Sequence, residues 1–479
     1  MFGNGKTISI ESMKCQAHMQ GYKVLSLVRR GDLLAEELQN ALVAPGKKII
    51  FIDNYVEWLD TLPIFGAHSS EDYSVVLSAR SGSNDVLVDR VAEQLATGDI
   101  VEIPLDKLGD QDLEWIVGFF NEFGVWGDRA SLSPERKLAF LRDNCHGEWR
   151  EILLFILESP QILERLHGLF SALAKGVVYR DPLIRMLILA VLAYTPDTSV
   201  LIDLCGDRIL ETGFRKESAV QELVEFGVSS VAVRSSVTAS VLLRQVVDPN
   251  VTVSAVIALI IKADKVAHLS TYNYELFKNL VRYSNLQLVF SEKDKGRASM
   301  RVYEAVKQLY NCQRSPLFWL QYAIAALVAR DFDRAKAYFE NAYSFAEEKF
   351  DYDSFQIDNH YARFLLERVI HVHDVSSAMA AFRESRALLF PQLVNERRHY
   401  PYRVASQWGA FYSTFRNDFS DADKKEIRTA AIYVCERIEA LPPDRANNRN
   451  VVECWKSMQM ILGDTAPQTP TDSADLATR

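Results

Sequence analysis

The chain has 479 residues, 48% apolar and 24% charged, which gives room for two to four domains with their own cores in an ordinary globular protein. Its 54 basic residues are outweighed by 63 acidic ones, a net charge of −9 that counts against a generic nucleic-acid binder. Six scattered cysteines without a C-x-x-C pair exclude a disulfide framework or zinc ribbon. The absence of a signal peptide and of a spanning apolar run argues against a membrane, so a cytoplasmic protein is expected.

In chain order, the first stretch is Met1–Phe2–Gly3–Asn4–Gly5–Lys6–Thr7, which carries the end of the phosphate-loop pattern G-x-x-x-x-G-K-[ST]. The first glycine of that pattern would fall one residue before Met1, and the strand that normally leads into the loop would lie further upstream. A helix is expected over Ile8–Gln20, ended by Gly21, and a strand over Tyr22–Val28. Leu34, Leu38 and Leu42 recur every four residues and predict a second helix, closed by Pro45–Gly46. The apolar run Lys48–Asp53 predicts a strand buried on both faces. Ser74–Ser78 and Ile100–Pro104 predict two more strands, with Asp85–Leu95 helical between them.

From about residue 110 the apolar period becomes helical. Ser133–Pro134–Glu135 supplies a capping hydroxyl, a proline at the first helical position and an acid at the positive dipole end. The β-branched stretch Val228–Val237 reads as the wing of a winged helix. Trp319, Ala335, Phe339 and Ala342 fit tetratricopeptide spacing, which Ala378, Phe382 and Ser385 repeat, and a third hairpin is expected over Tyr402–Leu441.

A phosphate loop works because backbone N–H groups and a helix N-terminus surround an anion. Gly3, Asn4 and Gly5 would form the cradle, Lys6 would reach the β- and γ-phosphates, and Thr7 would place its hydroxyl on Mg²⁺. Asp53 ends a buried strand, where a carboxylate would hold that Mg²⁺ through water (the Walker B position). Arg80 closes the strand-end Ser-x-Arg and could sense the γ-phosphate through its planar cation. Each alone has a bland reading: a Gly-rich terminus, a strand-ending aspartate, a solvated arginine. Their order and spacing favour a nucleotide site with ATP or ADP and Mg²⁺ as cofactors, and Lys6, Asp53 and Arg80 in the catalytic roles.

On Gly5–Lys6–Thr7, Ile49–Asp53 and Leu77–Arg80, the chain resembles the STAND class of signal-transduction ATPases, relatives of apoptotic and NOD-like receptor ATPases that include bacterial antiviral defence sensors. The resemblance implies an α/β P-loop NTPase layer with an incomplete parallel sheet. A mainly α-helical domain, a winged helix and an α-helical repeat region would follow. The expected division is a P-loop core at 1–108, a helical bundle at 109–178, a winged-helix-like domain at 179–265, tetratricopeptide-like repeats at 266–464 and a disordered tail at 465–479.

The resemblance also implies an ADP-closed, ATP-open switch. The repeats would sense a protein ligand, the ATP state would form a homo-oligomer, and an effector such as a nuclease or NAD-consuming module would lie upstream or on another chain. Asn144–Cys145–His146–Gly147 sits where such proteins carry a Cys-x-Gly-x-Pro turn near the adenine, but Glu148 and Trp149 follow without the proline. Asn54, not an acid, follows Asp53, so any hydrolysis would be slow and would depend on upstream sequence completing the loop; Glu57 could position water but reads better as a solvated helix residue.

Three residue groups read as bland: His371 and His373 as hairpin-turn residues, and Arg136–Lys137 and Arg397–Arg398 as surface charge. Two alternatives stand beside the switch. One is a non-catalytic helical-repeat interaction module retaining a degenerate NTPase remnant. The other is a transcription regulator using the winged segment, against which the acidic balance counts.

Overall fold

The computed structural model describes residues 6–28, 33–68, 72–79, 81–96, 100–103, 105, 107–174, 177–192, 194, 196, 198–227, 231–394 and 399–464. It is mostly helical, with one small three-stranded parallel sheet. The chain divides into two compact units, 1–314 and 315–479. No helix among the described residues is long and apolar enough to cross a membrane.

The first unit opens with α1 (Lys6–Met19), β1 (Lys23–Ser26), α2 (Leu34–Val43), β2 (Lys48–Ile52), α3 (Leu62–Gly66), β3 (Tyr73–Leu77) and α4 (Ser81–Gln94). The strands run parallel in the order β1-β2-β3, with Ile50 opposite Leu25 on one side and Val75 on the other. Alternate residues of a strand face opposite sides of a sheet, and β2 divides its burial accordingly. Ile50 and Ile52 join Leu38 and Leu42 of α2, Leu62 and Phe65 of α3, and Leu87 and Val91 of α4 in one apolar cluster. Phe51 faces the other side, where Lys14 of α1 lies over its ring at 5.8 Å. Helices α2, α3 and α4 therefore cover one face and α1 the other.

Two local features fix this layer. Lys48 is buried, and its Nζ donates to the carbonyls of Leu42, at 2.6 Å, and Ala44. Its cation thus meets the negative C-terminal end of α2. Gly66 sits so close to α4 that a Cβ there would lie 2.2 Å from the Gln94 carbonyl oxygen, so only glycine lets these helices meet.

Ile100–Pro104 does not bear out its predicted strand. Residues 100–103 are in no strand, and Val101 and Ile103 are 86% and 62% exposed, so the alternation has no sheet edge to lie on. Pro104 lies outside the described residues.

Beyond the sheet, α5 (Asp110–Glu122) packs with Pro134–Asp143 and Trp149–Leu157 around Leu113, Phe120, Trp126, Leu141 and Ile152. Ser133 caps its helix as expected, accepting from the Arg136 backbone N–H at 3.4 Å. Lys137 corrects the surface-charge reading: it is buried, with Nζ donating to Asn121 Oδ1 (2.8 Å) and the Ala130 carbonyl (2.9 Å) beside the Trp126 ring.

The expected wing contributes a short antiparallel hairpin, β4 (Val224–Phe226) with β5 (Val231–Val233), and a helix begins at Ser236. Val228 lies outside the described residues. The expected repeats start at residue 266, but Thr271–Val281 and Lys295–Val306 pack on the Pro249–Val266 helix inside the first unit.

The second unit is built from helical hairpins. Pro316–Val328 pairs with Phe332–Glu347, and Phe355–Val372 with Val375–Leu389. Ala335, Phe339 and Ala342 are fully buried, as are Ala378, Phe382 and Ser385, so both A/F/small triplets line helix contacts. Trp319 stacks on Tyr322 and Phe345 and meets Tyr338 at a tilt. Tyr402–Leu441 holds three helices, Tyr400–Ala405, Gln407–Phe415 and Asp421–Glu439, where a single hairpin was expected.

Candidate functional site

Parallel strands bring all their C-terminal ends to one side of a sheet, and ligands of open α/β layers bind there. Helix α1 turns into β1 through Gln20–Tyr22, with Gly21 at φ +85°, so it runs back against the strands. Its N-terminus, carrying Lys6 and Thr7, thus lies on the same side as the ends of β2 and β3. The backbones of Lys6 and Thr7 are described and open the helix; their side chains, and Gly3, Asn4, Gly5 and Arg80, lie outside the described residues.

Asp53 follows β2 and Ser78 follows β3. Ser78 binds the residues after β2 through both backbone and side chain. Its N–H donates to the Ile52 carbonyl at 3.0 Å, and its carbonyl accepts from the Tyr55 N–H at 2.8 Å. Its Oγ accepts from the Asn54 N–H at 3.0 Å and donates to Asp53 Oδ1. Asn54 takes a left-handed conformation, φ 51°, which asparagine tolerates better than most residues, and so turns the chain sharply at the strand end. The result is a carboxylate held at the C-terminal edge of the central strand.

The turn continues into the helical part of the same unit. Asn54 Nδ2 donates to Glu57 Oε1 at 2.7 Å, and Tyr55 OH donates to Asn84 Oδ1 at 3.0 Å. Residues Tyr55–Trp58 form a 3-10 turn that packs on the Thr271–Val281 helix. That helix buries Asn273, Glu275 and Asn279. Asn279 Nδ2 donates to Tyr194 OH at 3.2 Å, and Asn285 Nδ2 donates to the Asn279 carbonyl at 2.9 Å. Burial raises the Tyr194 hydroxyl well above its ordinary range, and the Glu57 carboxylate adds to the rise. Burial lowers Arg282, against the opposing pull of Glu275, Tyr194 and Tyr55. Glu57, read from sequence as a solvated helix residue, is thus tied to Asn54 and lies within electrostatic reach of a buried polar cluster. The signal for that cluster was Glu275 and Asn279, four residues apart on an apolar helix face.

The chain matches no protein-family model, no curated protein and no solved structure.

Cys145 lies in the apolar core of the α5 bundle, where burial pushes its thiol up to about 11. His146 is left-handed, φ 54°, in the turn whose Gly147 accepts from the Leu108 N–H at 2.8 Å. In the second unit, His373 ends its helix at φ 51° and stacks on Phe415, while His371 lies beside Phe332. Arg397 and Arg398 lie outside the described residues.

No group of three or more His, Cys, Asp or Glu among the described residues could hold a metal. Asp53, with its oxygen already engaged by Ser78, suits a cation held mainly by waters and phosphate oxygens, as Mg²⁺ commonly is. In the second unit an open groove of about 660 Å³ runs between the hairpin turns, lined by Arg330, Asp331, Phe332, Arg368 and Asp374.

Proposed function

We propose that the first unit is the nucleotide layer of a STAND-type ATP switch, and that the helical hairpins of the second unit sense a protein ligand. The observation that carries the reading is the combination of an ordered Asp53 at the end of the central parallel strand with the N-terminus of α1 on the same side. Chain topology supports it further. β1 to β2 and β2 to β3 cross over on the α2/α3 face, whereas α1 lies on the other face. Right-handed crossovers then require any strand leading into α1 to join on the far side of β3. Such a strand would end beside Ser78 and deliver Gly3–Thr7 next to Asp53.

In this reading, the α1 N-terminus and Lys6 bind the phosphates, and Asp53 with Thr7 holds Mg²⁺, which would supply charge neutralisation when bound. Asp53 has no neighbouring acid, since Asn54 follows it, so hydrolysis would be slow and the site would act as a switch. Binding of a ligand to the repeats, with its groove at Arg330 and Arg368, would shift the ADP–ATP balance through differential affinity. In this reading an effector would lie on another segment or another chain.

The test is binding of fluorescent ATP with Mg²⁺ by the full chain. Binding should weaken at least tenfold on Lys6→Ala and on Asp53→Asn. Absence of binding by the full chain, or indifference to Lys6→Ala, would leave the helical-repeat interaction module as the better reading.

A further inference from the structure

Helix α5 is apolar on two sides. Leu113, Ile116, Val117 and Phe120 face the bundle core. On the other side Trp115, Phe119 and Phe123 recur at i, i+4 and i+8 and are 65%, 40% and 62% exposed. The three rings form a continuous ladder: Trp115 stacks on Phe119 at 5.3 Å and Phe119 meets Phe123 at 4.5 Å. Single exposed apolar side chains are ordinary, but a contiguous aromatic stripe marks a recognition surface.

Charge says what covers it. The helix carries four acids and no base. Asp110 is paired with Arg142 at 2.8 Å, and Asp112 accepts from the Gly109 N–H that opens the helix. Glu114 and Glu122 are exposed on the flank of the ladder, beyond Gly118, and make no ion pair among the described residues. A second copy of this chain fits poorly. Antiparallel two-fold pairing centred on the ladder would bring Glu114 of one copy beside Glu122 of the other, and like charges across an interface are costly. The area points the same way. Three partly exposed rings offer on the order of 400 Å², about half of what each side of a stable globular interface buries. The ladder is about 12 Å long, the length over which two turns of an amphipathic helix present their anchors.

We propose that the Trp115–Phe119–Phe123 face of α5 docks a basic amphipathic helix of a partner protein. The apolar stripe of that helix would pack on the aromatic ladder, and its flanking lysines or arginines would pair with Glu114 and Glu122. The site is separate from the nucleotide reading and stands without it.

The test uses the full chain and a labelled 18-residue helical peptide of leucine and lysine in amphipathic order, with a scrambled isomer and a leucine/glutamate counterpart as controls. Fluorescence anisotropy should show binding of the ordered leucine/lysine peptide alone. Trp115→Ser/Phe119→Ser/Phe123→Ser should weaken it at least tenfold with an unchanged thermal midpoint. Glu114→Lys/Glu122→Lys keeps the ladder and should transfer the preference to the leucine/glutamate peptide, which tests the idea even if the triple variant folds poorly. Equal binding of the scrambled isomer, an unaffected triple variant, or an unshifted preference in the charge-reversed protein would overturn the proposal. So would self-association of the wild type, or binding to phosphatidylglycerol vesicles, that the triple variant abolishes.

Discussion

Ser78, at the end of β3, donates its hydroxyl proton to Asp53 at the end of β2, while accepting from the next backbone N–H at 3.0 Å. Two neighbouring parallel strands therefore end in one shared hydrogen-bond unit, and the position of the carboxylate depends on a residue 25 positions away in sequence.

Ser78→Ala removes both side-chain bonds from this part-buried unit. It should lower unfolding free energy by about 1–2 kcal/mol in urea denaturation, and weaken any Mg²⁺-dependent nucleotide binding. Ser78→Thr keeps the hydroxyl and should recover most of both effects. A silent Ser78→Ala would show that Asp53 is held by other groups.

The cluster around Asn279 should be more sensitive. Asn279→Leu strips the side-chain donor from Tyr194 OH, enclosed by the helices of the first unit, and one acceptor from Asn285 Nδ2, which keeps the residue 279 carbonyl. It should cost about 1–3 kcal/mol, because an orphaned buried hydroxyl bears the full desolvation penalty. Tyr194→Phe should cost less. In the double variant the two losses should fall short of additivity, since they share a bond. Calorimetric midpoints of the two single variants and the double variant measure this directly.

His360 gives the second unit a pH dependence. It lies against the Tyr400 ring, and burial, aided by Arg363 and Arg403, holds its pKa down to about 3 from 6.5. The unfolded chain binds this proton first, so the neutral-imidazole contribution is fully present above pH 6.5. It is lost as pH falls from there towards 3, at up to about 1.4 kcal/mol per pH unit. Urea denaturation at pH 7, 5.5 and 4.5 should show this slope, and His360→Gln should flatten it.

Thiol labelling should separate one cysteine from five. Cys15 is exposed on α1, whereas Cys145, Cys205, Cys312, Cys435 and Cys454 are buried. Burial pushes Cys205 up to about 12 and raises Cys312, Cys435 and Cys454 as well, which withholds the reactive thiolate. One fast-reacting thiol per native chain is expected, absent in Cys15→Ser, with the remaining five released by denaturant.

The parallel layer was legible because a strand buried on both faces must be apolar throughout, and Lys48–Ile52 is so apart from one lysine. That lysine carried no sequence signal of burial, since its partners are the last carbonyls of a neighbouring helix. Lys137 was misread for the same reason: the groups that satisfy it, Asn121 Oδ1 and the Ala130 carbonyl, come from two other segments. Val101 and Ile103 alternate as a strand should, but alternation does not reveal whether a sheet edge is free to receive them. In the candidate site, Asp53 stood out by its place after an apolar run. Ser78 was visible only as a strand end, because its role arises from parallel pairing between distant segments.

The ammonium of Lys48 also bears on the order in which the layer assembles. It reaches carbonyls only four and six residues upstream, so closing α2 onto β2 costs little loop entropy. Contacts this local form ahead of pairings that span tens of residues. The segment from Leu34 to Ile52 can therefore order during synthesis before β3 has emerged, and offer a ready edge to the strands that follow. Lys48→Met should then slow refolding and leave the unfolding rate nearly unchanged.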